Sequence, residues 1–247
     1  MRISIKPVDD MKILDNVTNT VRDDLRVEIK NGSRVSIAAA CFSMYAYKEL
    51  KKQLETIDEF EFIFTSPTFV KEKAEKQKRE FYIPRISRET SLYGTEFEIK
   101  LRNEMTQRAI AKECADWIRR KATFKSNTTG ENMAGFMTVD SGAAQTAYMP
   151  IGGFTTVDIG CERGNNSYNM VNCMEAPFAQ QYMKLFESLW NDRDKMQDVT
   201  DVVLENISTA YAENSPEFIY FMTLYHVFSE FLDDISEDEL PNEATGF

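Results

Sequence analysis

Apolar positions along the chain recur with two periods, and each period marks an element. Residues 16–29 carry Val17, Val21, Leu25 and Ile29 four apart, the single apolar stripe of an amphipathic helix. Asn31-Gly32 follows, a pair that tolerates the left-handed backbone at a helix end. Residues 34–42 hold Val35, Ile37, Ala38, Ala39, Ala40, Cys41 and Phe42, with hardly any polar face. A strand apolar on both sides predicts a sheet covered by helices on both faces. Residues 45–54 return to helical spacing through Tyr47, Leu50 and Leu54, and 60–64 form the next strand, before Ser66-Pro67. Strand, helix and strand at this spacing predict a βαβ unit with parallel strands.

Residues 69–89 alternate Lys71, Lys73, Lys76, Lys78, Arg79, Arg85 and Arg88 with four glutamates, a solvated charged segment or a basic one that touches phosphate. A long helix is expected over 96–120, its buried side marked by Ile99, Met105, Ile110, Cys114, Trp117 and Ile118. Four short strands then crowd together at 123–126, 132–140, 146–152 and 167–175, separated by Gly, Asn and Ser, and so predict neighbours in one sheet. The run from Gly152 through Thr155, Thr156, Val157, Asp158, Gly160, Cys161, Glu162 and Arg163 to Asn165-Asn166 is the most distinctive in the chain. Ala176-Pro177 opens another helix, with Phe178, Tyr182, Leu185, Phe186, Leu189 and Trp190 on its apolar side. Two more helices are expected, at 199–211 and 216–232, the second capped by Ser215 and rich in Phe and Tyr. Residues 1–12 read as a loose arm, and 233–247 as an acidic linker or a truncated boundary.

Composition narrows the classes. The 247 residues are 43% hydrophobic and 28% charged, ordinary for a globular protein. No apolar run reaches the roughly 18 residues of a membrane helix, and no signal pattern opens the chain, so no membrane partner and a cytoplasmic location are expected. The net charge of −11 opposes wholesale contact with nucleic acid but allows one local basic face. Cys41, Cys114, Cys161 and Cys173 form no C-x-x-C pair, and the lone histidine is His226. A Cys/His zinc site is therefore not expected, and the cysteines read as reduced, buried apolar residues. His226 among aromatic residues reads as a packed side chain, because general-base work needs an oriented partner.

Several stretches together resemble one family. Residues 33–54, the run 155–162 with Asn165-Asn166, and the close from Ser215-Pro216-Glu217-Phe218 to Pro241-Asn242-Glu243-Ala244-Thr245-Gly246-Phe247 look like phospholipase D-like domains, in the version placed before bacterial Snf2-type DNA helicases. The resemblance extends over about residues 12–247. It implies an arm at 1–12, a domain at 13–192 with a mixed sheet flanked by helices on both faces, a helical appendage at 193–235, and an acidic linker at 236–247 toward a helicase motor. ATP binding and hydrolysis would belong to that motor, since no G-x-x-x-x-G-K-[ST] loop occurs here. Active members carry His-x-Lys on one strand, with Ser and Asn on the next. The His attacks phosphorus, while Lys and Asn hold phosphate oxygens. The matching positions here are Ala134 and Phe136, then Gly152 and Gly153.

The resemblance thus implies the fold and argues against the activity, and no cofactor is implied. The leading expectation is a non-catalytic module contacting DNA or protein, with Arg119, Arg120, Lys121, Lys125, Arg163, Asn165 and Asn166 as the candidate nucleic-acid surface. Basic residues at a helix end also suit the helix dipole. The alternative is a phosphodiesterase or nuclease with a rebuilt, metal-assisted site, using Asp140, Asp158, Glu162 and Glu175 as oxygen ligands. A third expectation is a homodimer in which two half-sites meet across a two-fold axis.

Overall fold

The computed structural model describes residues 11–66, 96–129, 131, 133–163 and 170–208, with only the backbone described over 96–106. The chain is a mixed α/β protein. Its strands are β1 (Met11–Leu14), β2 (Arg34–Ala39), β3 (Glu59–Phe64), β4 (Ala122–Asn127), β5 (Phe136–Asp140), β6 (Gln145–Met149), β7 (Val171–Glu175) and β8 (Met196–Asp198). The helices are α1 (Val21–Glu28), α2 (Met44–Leu54), α3 (Glu96–Lys121), α4 (Phe178–Trp190) and α5 (Thr200–Ser208). One eight-stranded sheet runs β1-β7-β6-β5-β2-β3-β4-β8.

The expected βαβ unit is present: β2 and β3 pair in parallel, joined by α2. Ser43 caps α2, its hydroxyl accepting from Tyr45 N. β4 adds to β3 in parallel, while β5, β6 and β7 alternate antiparallel on the other side of β2. The crowded strands are therefore not all neighbours, because β2 and β3 separate β4 from β5. Two strands lie where none was expected. β1 draws Met11 and Lys12, placed above in the loose arm, into pairing with β7. β8 pairs with β4, so the sheet extends past the boundary expected at 192, and α5 packs on α3 and β4.

Alternation along the strands sorts the core into two layers. Val35, Ile37, Phe60, Phe62, Phe124, Met137, Val139 and Tyr148 face α1, α2, α3 and α5 in one large cluster. The rings of Phe42, Phe60, Phe62, Phe124 and Phe154 pack edge-on, tilted or stacked at 5.1–6.4 Å. The other face carries Ala38, Ile63 and Phe136 beneath Phe186 of α4, with Tyr182, Leu189 and Trp190 alongside. Helices thus lie on both faces. The apolar stripe of α4 is only half used, since Phe178 (48%) and Leu185 (47%) stay exposed, as do Met11 (57%) and Ile13 (55%) on β1.

The first helix begins at Val21 rather than at residue 16, for a local reason. Asp15 accepts hydrogen bonds from the amides of Val17, Thr18 and Asn19 at 2.8–2.9 Å, and Asn16 adopts a left-handed φ of 54°. These side chains offer the backbone an alternative to helix. Thr20 then supplies the N-cap to Asp23 N. Val17 is consequently exposed, whereas Val21, Leu25 and Ile29 are buried as expected.

Beneath α4, Arg34 grips the buried carboxylate of Glu61 through two nitrogens, at 3.2 and 3.0 Å, and Ser36 donates to it at 3.2 Å. Burial pushes the Glu61 carboxyl above the ordinary carboxylate range, against the pull of Arg34. A carboxyl whose folded pKa exceeds its unfolded one binds its proton more readily in the native state. Its protonation therefore favours folding at low pH, and that contribution is lost as pH rises through the raised pKa. Glu61→Gln is expected to remove this dependence. Urea midpoints of both proteins from pH 4 to 7 should show the parent losing ground to the variant as pH rises, and a constant difference would refute the assignment.

Candidate functional site

The topology brings several chain segments to one edge of the sheet. β2, β3 and β4 end there at Ala39, Phe64 and Asn127, β5 enters beside Ala38 at Phe136, and β6 leaves at Met149. Carboxyl ends of parallel strands, at a point where the sheet changes direction, are the usual place for ligands.

Backbone bonds stitch this edge together. Ile151 N donates to Gly135 O at 2.9 Å, Ala40 N to Gly152 O at 3.0 Å, Phe154 N to Cys41 O at 2.8 Å, and Ser43 N to Phe154 O at 2.9 Å. The four positions that the resemblance matches to a catalytic set, Ala134, Phe136, Gly152 and Gly153, therefore do lie on one edge. Their side chains offer no phosphorus chemistry. Ala134 is exposed and precedes β5, which starts at Phe136 and not at residue 132. Phe136, only 2% exposed, is wedged between Tyr182 and Phe186, with centroids at 5.4 and 6.3 Å. Gly135 is closed over by backbone: a Cβ there would lie 1.8 Å from Ile151 O.

A polar group does sit at this edge. A Cβ on Gly153 would lie 2.6 Å from Cys41 Sγ and 2.7 Å from Asp158 Oδ2, so the thiol and carboxylate converge on a position that only glycine can fill. Thr155 Oγ1 donates to Asp158 Oδ2 at 2.5 Å and accepts from Asp158 N at 3.1 Å. Burial raises the Asp158 carboxyl pKa, opposed by the Thr155 hydroxyl and the amides of Gly153 and Thr155. Burial, and then the Asp158 charge, also raise the Cys41 thiol. A thiol held protonated is a poor nucleophile, and a carboxylate beside it repels a phosphate. Next to them Thr156 buries a hydroxyl with no hydrogen-bond partner among the described residues.

Of the cysteines expected to be buried, Cys114 and Cys173 are, Cys161 is half-buried, and Cys41 is exposed. The apolar run that carried the expectation for Cys41 leaves the sheet after Ala39, so the residue is open to solvent although its Sγ faces Gly153. Sequence reasoning also missed Asn127. Its amide donates to Thr65 O and Glu131 O, both at 3.1 Å, and its carbonyl accepts from Thr129 N and Thr129 Oγ1. It spends all four bonds tying β3, β4 and the following loop together. Apolar spacing does not signal such a role, because it rests on polar atoms of the following loop, in Thr129 and Glu131, and on the distant carbonyl of Thr65.

The cations expected to form one surface are split between the two sides of the sheet. Arg119 pairs with Asp116 at 2.7 Å and Arg120 with Glu55 at 3.0 Å, while Lys121 donates to Ile57 O at 2.8 Å. Lys125, on the α4 side, donates to Trp190 O at 2.7 Å with its ammonium 4.3 Å from the indole centroid. Arg163 is exposed at the far end of the 152–163 loop, and Asn165 and Asn166 lie outside the described residues. His226, the expected appendage helix around it, the charged segment 69–89 and the acidic tail also lie outside them.

The four carboxylates considered for a metal are divided too. Asp140 and Glu175 end β5 and β7 at the opposite edge, where Asp140 accepts from Gly142 N and Gln145 Nε2. Asp158 and Glu162 belong to the loop at the carboxyl edge. Among the described residues no three His, Cys, Asp or Glu side chains come together as a metal site, and no helix is long and apolar enough to cross a membrane.

No protein-family model and no curated protein matches the chain. Among solved structures, a crystal structure of phosphatidylserine synthase from Haemophilus influenzae Rd KW20 is similar, with a TM-score of 0.41 and 11% identity. The match covers 92% of this chain and 48% of that one, so the chain spans about half the length of that protein.

Proposed function

We propose that this chain is a non-catalytic domain of phospholipase D-like fold, an accessory to a bacterial DNA helicase or translocase, and that it contributes contacts to DNA. One observation carries the reading: Phe136, at the position matched to the phosphate-holding lysine, is buried as a packing residue under α4. A ring locked between Tyr182 and Phe186 cannot be exchanged for an anion-binding group by a small loop movement. The sequence adds that its lone histidine, His226, falls outside the matched strand. The matched strand therefore carries no imidazole for a covalent route. Pairing with a second copy, or with the helicase motor of the same parent chain, is compatible with the same role.

The test is twofold. Fluorescence anisotropy of a labelled duplex should show binding that weakens steeply with salt, as phosphate contacts demand. Supercoiled plasmid incubated with the domain and Mg²⁺ or Mn²⁺ should stay uncut. Turnover of any phosphodiester, or no binding at low salt, would overturn the proposal.

A further inference from the structure

Another charged surface lies between α1 and α2. A groove of about 460 Å³ runs between these helices, lined by Arg26, Lys48, Glu49, Lys52 and Gln53. Lys48 and Lys52 are one turn apart on the same exposed face of α2, which sets their Cβ atoms about 6 Å apart. Among the described residues neither makes an ion pair or hydrogen bond. This contrasts with Lys51 beside them, which reaches Glu113 at 2.8 Å, and with the paired cations of α3.

The opposite wall is basic and held in place. Arg26 Nη2 donates to Glu49 O at 3.1 Å and lies 3.6 Å from the Glu49 carboxylate, and Arg22 approaches that carboxylate at 3.8 Å. Both guanidiniums also contact Asp23, at 3.0 and 3.5 Å. Glu49, the one acid lining the groove, is thus engaged by two arginines. Three cations, Arg26, Lys48 and Lys52, line this trough against one carboxylate, that of Glu49, with the Arg22–Asp23 pair adjoining, on a chain whose net charge is −11. Local charge of that sign, against the sign of the whole molecule, is what draws a polyanion to one place rather than to the surface at large.

We infer that the α1–α2 groove holds a phosphodiester backbone, with Lys48 and Lys52 contacting successive phosphates and Arg26 completing the cradle. This rests on the DNA-contact reading above and gives it a location other than the end of α3. Lysine ammoniums on flexible stems bind phosphates as point charges, without reading bases, so the contact is indifferent to sequence.

The experiment uses the full chain and a labelled 20-base-pair duplex, read by anisotropy from low to physiological salt. Lys48→Ala/Lys52→Ala is expected to weaken binding at least tenfold at low salt, and to reduce the slope of log affinity against log salt by about 2, one unit for each lost contact. Lys112→Ala/Lys184→Ala removes the same charge from exposed positions on α3 and α4, and should change little. If the parent binds DNA and the groove variant binds as tightly, the groove assignment falls while the DNA-contact reading stands. If the parent fails to bind at low salt, both fall. Polyglutamate displacing the duplex as readily as unlabelled DNA would also sink the assignment, because the groove would then recognise charge and not phosphodiester.

Discussion

Replacing Gly135 with alanine is expected to cost about 3 kcal/mol of stability, at the upper end for an overpacked site. The added methyl would stand 1.8 Å from Ile151 O, 3.0 Å from Ile151 C and 3.2 Å from Ala38 O. All three are backbone atoms, so no side chain can swing aside to make room. Relief requires the segment after β6 to move away from the segment before β5, which breaks the bond from Ile151 N to Gly135 O. The same displacement loosens Phe136, the next residue, from Tyr182 and Phe186. Urea denaturation followed by far-UV circular dichroism measures the loss, and near-UV dichroism reports the aromatic packing under α4. A change below about 1 kcal/mol would mean that the two segments are not pressed together as described.

The second large effect is expected on the helical face. Trp117→Ala should destabilise the protein by about 4 kcal/mol, the size of loss that follows truncation of a buried aromatic. The indole is fully buried, its ring centroid 4.9 Å from Tyr47 and 5.0 Å from Phe60. Its Nε1–H donates to Leu54 O at 2.9 Å, where α2 ends. Truncation leaves both a cavity and an unpaired carbonyl. Trp117→Phe retains most of the ring and loses the donor, so it should cost about 1–2 kcal/mol. The gap between the two variants, from parallel urea titrations, separates packing from hydrogen bonding. Equal losses would show that the indole N–H is the main contribution. Against a total stability of about 5–15 kcal/mol for such a domain, the alanine variant stands near the threshold of folding.

The central elements were readable because their signals are local. The largely apolar run from Val35 to Ala39, the spacing of Tyr47, Leu50 and Leu54, and the Phe60, Phe62, Phe64 alternation predict β2, α2 and β3 where they occur. Ile110, Cys114, Trp117 and Ile118 likewise mark the buried side of α3. β1 and β8 were not readable. Met11–Leu14 leaves Met11 and Ile13 exposed, and Met196–Asp198 buries one side chain of three. Such short edge strands exist because a neighbour supplies their hydrogen bonds, which nothing in their own composition records.

At the candidate site the division is similar. The Gly152–Asp158 run stood out by composition, and Phe136 by the residue it replaces in the resemblance. The convergence of Cys41 and Asp158 on Gly153 joins positions more than a hundred residues apart, and no periodicity encodes it. The cations teach the reverse lesson. Arg119, Arg120 and Lys121 look like a surface cluster in one dimension. In three dimensions Glu55 and Asp116 meet the arginines and a carbonyl of the α2–β3 connection meets the lysine, whereas Lys48 and Lys52, unremarkable in the sequence, are left open.

Residue order was therefore enough to specify the central helices and strands, and that the lone histidine is many positions removed in sequence from the glycine-rich run, because side-chain chemistry and apolar spacing are properties of neighbours along the chain. Strand order, the burial of Phe136, the pairing of α3's basic end and the openness of the α1–α2 groove came from folding alone. Each depends on which distant atom arrives within a few ångströms, and the energy of that meeting is not written in either segment by itself.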